Sequence, residues 1–243
     1  MRAVRFAVSL EFEIDAATWS ALCQHAGALQ QISAERIRDE LARMLVLPQR
    51  LRAVNLLWDS GLLQVFWPEM LALAGCEQPP QWHPEGDVKI HTLMMVGMLE
   101  ADAPLELVLA VLLHDIAKPP TQQIDATTGK ISFHGHDALG ATMAEDMLRR
   151  LRFSNEVIEW VVPMVARHMQ FMNVQKMRPA KLKRFMSSPQ FEQEMELHRV
   201  DCASSNGFTD NWEFVREKQV EFSTAPLIPA PLLTGRDLLA LGL

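Results

Sequence analysis

The feature that most constrains the fold is an apolar run at residues 104–113 that ends directly in His114 and Asp115. An imidazole beside a carboxylate is costly to bury unless another group compensates both. A divalent metal ion is the commonest strong compensator, and a simple structural ion pair is the alternative. The pair therefore raises the hypothesis of a buried metal site.

Further candidate ligands lie on both sides of this pair. They are of residue types that bind divalent metals, namely His91, His136, His168 and Asp201. Helical spacing favours convergence of the last three. His136 shares a helical face with Gly140, which is small enough to let another helix approach closely. His168 follows Val165 on an apolar stripe, and Asp201 lies four residues after a leucine. Three polar side chains are thus predicted to point inward from three helices.

The order His, His-Asp, His, His, Asp resembles that of the HD-domain metal-dependent phosphohydrolases, whose ligands follow one another in this order along a helical bundle. The resemblance is closer still to the C-terminal half of bacterial CCA-adding tRNA nucleotidyltransferases of the poly(A) polymerase family. Three sets of residues carry it: 2–7 with 31–41, 114–121 with 135–141, and 232–242. The first resembles the helices after that family's nucleotidyltransferase head, the second its HD core and the third the start of its tail.

Periodic apolar residues predict helices along almost the whole chain. We therefore expect an all-α fold, with an HD-domain helical bundle preceded by a small helical domain. Residues 1–78 resemble the RNA-binding or neck helices of the tRNA nucleotidyltransferases, 79–223 the HD phosphohydrolase domain, and 224–243 the start of a truncated C-terminal tail. The boundary falls in the segment 75–86, which begins and ends in glycine and contains three prolines.

Local signals predict several element boundaries. The predicted helix N-caps are Asp15, Ser33, Asp87 and Ser154. One helix is predicted over residues 50–63, closed by a break at Ser60 and Gly61, and another from Pro104 to Lys118. The polar stretch after Thr121 is predicted to form a loop, with a short hairpin flanked by Ile124 and Ile131.

The resemblance implies a metal site built from all six side chains. The minimal set is His91, His114, Asp115 and Asp201. His136 and His168 add enough imidazole for a second ion, with Asp115 as the bridging carboxylate. We expect one or two divalent ions, with two favoured. This ligand set suits Mn, Fe, Ni, Co, Zn or Mg.

A divalent metal lowers the pKa of coordinated water and neutralises charge on phosphoryl oxygens, so phosphoester hydrolysis is the expected reaction. Asp115 and Lys118 are the predicted catalytic residues. Lys118 is three residues after Asp115 and is placed to bind a phosphate oxygen; the alternative is a cation favoured by the helix dipole. Arg167 and Thr121 are weaker candidates for substrate binding.

The remaining histidines carry less weight in this interpretation. His25 and His83 lie outside the metal-bearing part and are expected at the surface. His134 is expected to be exposed, with a contact to substrate as the alternative. His198 is about 60° from Asp201 on a helical wheel but has charged neighbours, so it is also expected to be exposed.

The composition fits a soluble, cytoplasmic protein. A net charge of -7 argues against a broad surface for nucleic-acid backbone, although it is compatible with a local basic patch. The three cysteines are widely spaced without a CxxC pair, which favours neither a disulfide framework nor a thiolate zinc site. No stretch approaches the roughly 20 apolar residues of a membrane span.

The leading hypothesis is a phosphodiesterase or phosphatase acting on nucleotides, 2',3'-cyclic nucleotides or tRNA ends. The Gly-Ser motif and paired aspartates of the nucleotidyltransferase head have no counterpart here, so this chain alone is not expected to add nucleotides to tRNA. The alternative is an RNA-binding fragment with a structural metal and with tRNA as its partner. Its support is the basic set Lys176, Arg178, Lys181, Lys183 and Arg184. An inactive oligomerisation module is a third hypothesis, and the oligomeric state stays open.

Overall fold

The computed structural model describes residues 1–223, and its fold is all-α, as the sequence predicts. The first part of the chain contains the helices α1 (Arg2–Ser9), α2 (Ala16–Gln24), α3 (Ala34–Leu45), α4 (Arg50–Asp59) and α5 (Leu62–Phe66). It also contains the 3-10 helices Ala26–Gln31 and Pro68–Leu73. The predicted tail at 224–243 lies outside the described residues.

The second part begins after a connecting segment at residues 74–87 that has no regular secondary structure. Its helices are α6 (Val88–Met98), α7 (Leu105–Leu113), α8 (Lys118–Thr121), α9 (His136–Arg150), α10 (Asn155–Arg167), α11 (Pro179–Met186), α12 (Phe191–Ser204) and α13 (Asp210–Phe222). A 3-10 helix, His168–Lys176, follows α10 directly. The predicted hairpin is present as antiparallel β1 (Gln123–Ile124) and β2 (Ile131–Ser132), with Ile124 opposite Ile131.

Three of the four predicted N-caps are confirmed by side-chain hydrogen bonds. Asp15 accepts from the backbone N–H groups of the first turn of α2, Asp87 from that of α6 and Ser154 from that of α10. Each side chain satisfies an N–H group that has no partner within its helix. Ser33 stands at the N-cap position of α3, but its hydroxyl makes no capping hydrogen bond.

Two predicted helices are shorter than expected. The helix over 50–63 ends at Asp59, because Gly61 adopts a left-handed φ of 74° that starts a new helix. The helix expected from Pro104 to Lys118 ends at Leu113, and a turn at 114–117 follows. Two consecutive prolines follow Lys118, and prolines are tolerated only in the first turn of a helix. Lys118 therefore begins α8 instead of ending α7.

Helix α7 is the centre of the fold. All residues from Leu107 to Leu113 are buried, and the helix packs against α3, α6, α10 and α12. It belongs to one hydrophobic cluster that extends from Val4 in α1 to Val200 in α12. The two parts of the chain therefore share a core across the connecting segment. A second, smaller cluster joins the 3-10 helix His168–Lys176 to α11, α12 and α13.

The three cysteines all lie in the described residues and form no disulfide there. In residues 1–223, no α-helix combines the length and the apolar character that a bilayer crossing requires.

Arg50 links the two parts of the chain from inside the core, where it is 1% exposed. Its guanidinium group donates to the carbonyl oxygen of Leu45 at 3.1 Å, in the first part. It also donates to the carbonyl oxygens of Leu99, Glu100 and Ala101 at 3.3, 2.8 and 2.6 Å, in the turn between α6 and α7. A single side chain therefore satisfies four carbonyl groups from both parts.

We expect Arg50→Met to lower the free energy of unfolding by about 3 kcal/mol, because charge-assisted hydrogen bonds are lost and buried carbonyl groups lose their donor. Urea unfolding followed by circular dichroism measures this change. The matched control is Arg149→Met, because Arg149 is exposed and pairs with Glu145 on the same helix; its effect should stay within about 0.5 kcal/mol. An R50M variant as stable as the wild type would show that the hydrogen bonds of Arg50 to both parts of the chain do not stabilise the fold.

Candidate metal centre

The turn after α7 places the His-Asp pair in the interior. Because α7 is buried on all sides, the residues that follow it emerge inside the protein, and His114 and Asp115 are 1% and 2% exposed. The turn also lies against α9. A methyl group added at Gly140 would already be in van der Waals contact with the His114 carbonyl oxygen, Ala117 and Val165. The small residue predicted at this position therefore permits the close approach of α9.

The other four predicted ligands come from four places around this turn. His91 lies in the second turn of α6 and is fully buried, and His136 is the first residue of α9, after the left-handed Gly135. His168 is buried where α10 passes into the 3-10 helix. Asp201 lies in the last turns of α12, and its side chain is 25% exposed. The helices thus deliver all six predicted side chains to one region.

Asp115 lies at the centre of this cluster. Its Oδ2 atom is 3.0 Å from Nε2 of His114 and 3.9 Å from Nε2 of His91. Its Oδ1 atom is 3.5 Å from Nε2 of His136 and 3.8 Å from Nε2 of His168. The two carboxylate oxygens therefore face two different pairs of imidazoles.

The six side chains form two groups that could each hold an ion. In the first, ligand atoms of His91, His114 and Asp201 all lie within 4.8 Å of one another. In the second, the same holds for Asp115, His136 and His168. Bridging of two ions by Asp115 stays a prediction. The two oxygens of this carboxylate face imidazoles of both groups.

The hydrogen bonds of the four clustered histidines leave their Nε2 atoms available to bind a cation. Each Nδ1 atom lies 2.7 to 2.9 Å from an oxygen acceptor. The acceptors are the carbonyl oxygens of Val111, Phe133 and Val165 for His114, His136 and His168, and the Glu85 carboxylate for His91. Because these oxygens only accept, each Nδ1 carries the hydrogen, and Nε2 is left to face the cluster.

Several buried atoms of the cluster lack the partner that burial demands. The Nε2 atoms of His91 and His114 and both carboxylate oxygens of Asp115 make no hydrogen bond of good geometry. The Nε2 atoms of His136 and His168 face each other at 3.1 Å. Burial and the neighbouring His114 lower the pKa of His168 to about 4, which disfavours a proton there. A metal ion would satisfy these atoms together, so the residues fit the group that the sequence predicts.

Charge also favours a cation in the first group. Burial alone would raise the pKa of Asp115, but His114 and Lys118 hold it well below its usual range. Burial raises the pKa of Asp201, but the neighbouring His91 and the charge of His114 together lower it below its usual range. Burial lowers the pKa of His91, but the neighbouring carboxylates of Asp201 and Glu85 raise it to about 9. Two carboxylates thus stay ionised beside the imidazoles.

Lys118 lies beside Asp115, as its spacing predicts. Its Nζ atom is 2.6 Å from Oδ2 of Asp115, donates to Oε1 of Gln78 at 2.6 Å and lies 5.5 Å from the centre of the Phe133 ring. Gln78 is buried in the connecting segment, and its role was not predicted. Phosphate binding by Lys118 stays a prediction.

The two weaker substrate-binding candidates contact other groups. Thr121 Oγ1 donates to the carbonyl oxygen of Ala117 at 2.6 Å, within its own helix. Arg167 donates to Glu194 at 3.0 Å and to the carbonyl oxygen of Phe185 at 3.2 Å, toward the second hydrophobic cluster. Their predicted contact with substrate is not tested by these interactions.

The predictions for His83 and His198 are wrong, whereas His25 and His134 are exposed as expected. The His83 side chain is only 17% exposed and hydrogen-bonds Glu85, because the connecting segment folds back over α6. His198 is 4% exposed and stacks on Phe171 with ring centres 4.5 Å apart. A second hydrophobic cluster covers that face of α12, which the charged sequence neighbours did not indicate.

Fold and site together define the class of protein. Residues 88–201 match the family model of the HD domain, and residues 11–73 match the model described as "Probable RNA and SrmB- binding site of polymerase A". The chain therefore contains an HD domain preceded by a domain of the poly(A) polymerase RNA-binding type, and the predicted resemblance is confirmed.

Two curated relatives are similar to nearly the whole of this chain. A CC-adding tRNA nucleotidyltransferase of Thermus thermophilus is 35% identical over 250 residues, which cover 99% of this chain and 57% of the relative. An A-adding tRNA nucleotidyltransferase of Deinococcus radiodurans is 30% identical over 257 residues, which cover 99% of this chain and 58% of the relative. The chain thus spans somewhat more than half the length of the curated relatives it matches.

Metal analysis of variants tests the two groups separately. Because Asp201 belongs only to the first group, we expect Asp201→Asn to retain one of two bound Mn²⁺ ions. His136→Ala with His168→Ala should also retain one, and Asp115→Ala should bind neither ion tightly. Plasma mass spectrometry after gel filtration gives the stoichiometry. His25→Ala is the control for an exposed histidine, and full metal content in the Asp115 variant would contradict the central position of this carboxylate.

Proposed function

We propose that this chain is a metal-dependent phosphohydrolase that cleaves phosphodiesters or phosphomonoesters of nucleotides, including 2',3'-cyclic nucleotides or tRNA ends. The observation that carries the proposal is the buried Asp115 carboxylate between two pairs of imidazoles, with a lysine beside it. The names of the two curated relatives connect them with tRNA, which supports a nucleotide or an RNA end as substrate.

The proposed metal ligands are those of the two groups. His91, His114 and Asp201 would hold one ion, His136 and His168 the other, and Asp115 would contribute to both. A divalent metal supplies acidified water and positive charge for phosphoryl oxygens. The protein contributes histidines whose Nδ1 hydrogen bonds fix their orientation, so little reorganisation is needed when an ion binds.

Access to the site favours catalysis over a closed structural site. The Asp201 side chain is 25% exposed, whereas those of the other five proposed ligands are at most 8% exposed. Structural metal sites are usually closed, and catalytic ones keep an open position for water or substrate. We infer that a phosphoester enters on the Asp201 side, near the C-terminal end of α12.

Lys118 is the proposed electrophilic group of this chain. Its ammonium group is held beside Asp115 by the amide oxygen of Gln78 and the face of Phe133. A positive charge fixed in a partly dry site binds a phosphoryl oxygen more strongly as negative charge develops there. The same charge offsets that of Asp115 while no substrate is bound.

A double variant, His114→Ala with Asp115→Ala, tests the proposal. We expect turnover of 2',3'-cyclic AMP and of an aryl phosphodiester, assayed with Mn²⁺, Ni²⁺, Co²⁺ and Mg²⁺ in turn, to fall by at least about a thousandfold, together with the metal content. Urea unfolding shows whether the variant folds. Turnover retained by the folded double variant would refute the assignment of this site.

Lys118→Met tests the electrophilic role apart from metal binding. Because Lys118 is not a proposed ligand, the variant should keep its ions while kcat falls by about 10- to 100-fold. Gln78→Ala, which frees the ammonium group without removing it, should lower kcat by a smaller factor. Unchanged kcat in a metal-loaded K118M variant would assign the lysine to charge compensation alone.

The second candidate function is RNA binding with a structural metal. It is favoured by the match of residues 11–73 and by three exposed basic residues, Lys176, Arg178 and Lys181, which line one surface depression with Asn173 and Met177. Of the remaining basic residues, Lys183 packs on Phe222. Salt-dependent tRNA binding without hydrolysis of any phosphoester would favour this function over the first.

A further inference from the structure

Glu85 is a buried carboxylate next to the metal centre that the proposed chemistry does not use. Its side chain is 4% exposed. A single oxygen, Oε1, accepts hydrogen bonds from Nδ1 of His91 at 2.7 Å and from Nδ1 of His83 at 2.9 Å. The other oxygen, Oε2, is buried without a hydrogen-bond partner. Burial on these terms is costly, so the charge of Glu85 requires a positive charge nearby to offset it.

His91 differs from the other three clustered histidines in how its Nδ1 atom finds an acceptor. His114 and His168 stand at the C-terminal ends of α7 and α10, and each donates to a carbonyl oxygen three residues earlier, in the last turn of its helix. His136 stands at the start of α9 and donates to the carbonyl oxygen of Phe133, which also accepts from the backbone N–H of His136 at 3.3 Å. His91 lies inside α6, where the carbonyl oxygen of Val88 already accepts from the Thr92 hydroxyl at 2.8 Å. An acceptor for His91 must therefore come from outside the helix.

The connecting segment supplies that acceptor and is itself anchored. Asp87 accepts from the backbone N–H of Gly75 at 2.6 Å, and the N–H of Val88 donates to the carbonyl oxygen of Cys76 at 3.1 Å. These bonds close the segment into a loop that holds Glu85 against α6. The remaining contact of His91 Nδ1 is Ser204 Oγ at 3.3 Å, and that hydroxyl also donates to the carbonyl oxygen of Asp201 at 3.0 Å.

We infer that Glu85 is a positioning residue, which fixes the ring of His91 with Nε2 directed at the first group and increases the basicity of that ligand through its negative charge. This inference rests on the proposed metal centre. A carboxylate behind a ligating histidine orients the ring and strengthens its bond to the ion. His83, whose side chain is 17% exposed, donates to the same carboxylate oxygen.

A third cation site at this carboxylate is not favoured by its geometry. Donor atoms of His83, Glu85 and His91 lie within 4.8 Å of one another. However, both imidazole Nδ1 atoms point their hydrogens at the same oxygen. A cation bound through these Nδ1 atoms would have to displace both hydrogens from Oε1.

Titration of the metal-free protein with Co²⁺, followed by visible absorption, tests the inference. Glu85→Gln keeps an acceptor oxygen but loses the charge, and it should weaken Co²⁺ binding in the first group by about tenfold. Glu85→Ala loses both and should weaken it by up to about 100-fold, with an altered spectrum at saturation. His83→Ala is the matched control, because it removes the other imidazole from the same oxygen, and its effect should be smaller than that of either Glu85 variant.

Urea unfolding of the metal-free variants separates positioning from folding, and Glu85→Gln, the least disruptive change, keeps the test decisive if Glu85→Ala unfolds. Wild-type Co²⁺ affinity and spectrum in a folded Glu85→Ala variant would overturn the inference and leave the proposed function intact. If Glu85→Ala does not fold, wild-type Co²⁺ affinity in the Glu85→Gln variant would likewise overturn the inference. A wild-type chain that binds no divalent ion would overturn both.

Discussion

The structure depends on one buried negative charge. Asp115 lies in the core just after α7, whose residues 107–113 are all apolar and buried, and an isolated carboxylate there would be strongly destabilising. Lys118 offsets the negative charge of Asp115, and four imidazoles surround the two carboxylate oxygens. The packing of α6, α9, α10 and α12 therefore both forms the hydrophobic core and brings polar side chains to the carboxylate region.

The Nδ1 hydrogens of the four histidines around Asp115 point away from its carboxylate. His114 and His168 donate Nδ1–H to a carbonyl oxygen at a helix end, His136 to one in the turn before α9, and His91 to Glu85. A cluster stabilised only by ion pairs would direct N–H groups toward the carboxylate. Here the Nδ1 hydrogens point away from Asp115 and the Nε2 atom of each ring faces it, which is the arrangement of ligands for a cation.

The sequence predicts the fold class from its helical periodicity and directs three of the six side chains inward by helical spacing. The convergence of all six is predicted from the resemblance to the HD-domain order of ligands. It does not predict the roles of Gln78 and Glu85, since these depend on how an irregular segment folds back over α6. His198 was misjudged because a second hydrophobic cluster covers its helix face, and this cluster arises from tertiary packing. Pro119 and Pro120 account for the start of a new helix at Lys118, but they lie too far along the chain to explain the end of α7 at Leu113.

Hydrolysis and RNA binding need not exclude each other in this chain. The 3-10 helix that begins at His168 ends at Lys176, so a proposed ligand and an exposed basic residue stand at opposite ends of the same element. At the rise of a 3-10 helix this separation is about 16 Å along the axis. A nucleic-acid strand that is bound by Lys176, Arg178 and Lys181 needs only a few nucleotides to cover that distance. Basic residues on this surface would then raise the affinity for an RNA end without contacting the reacting phosphate, whereas a free cyclic nucleotide would gain nothing from them.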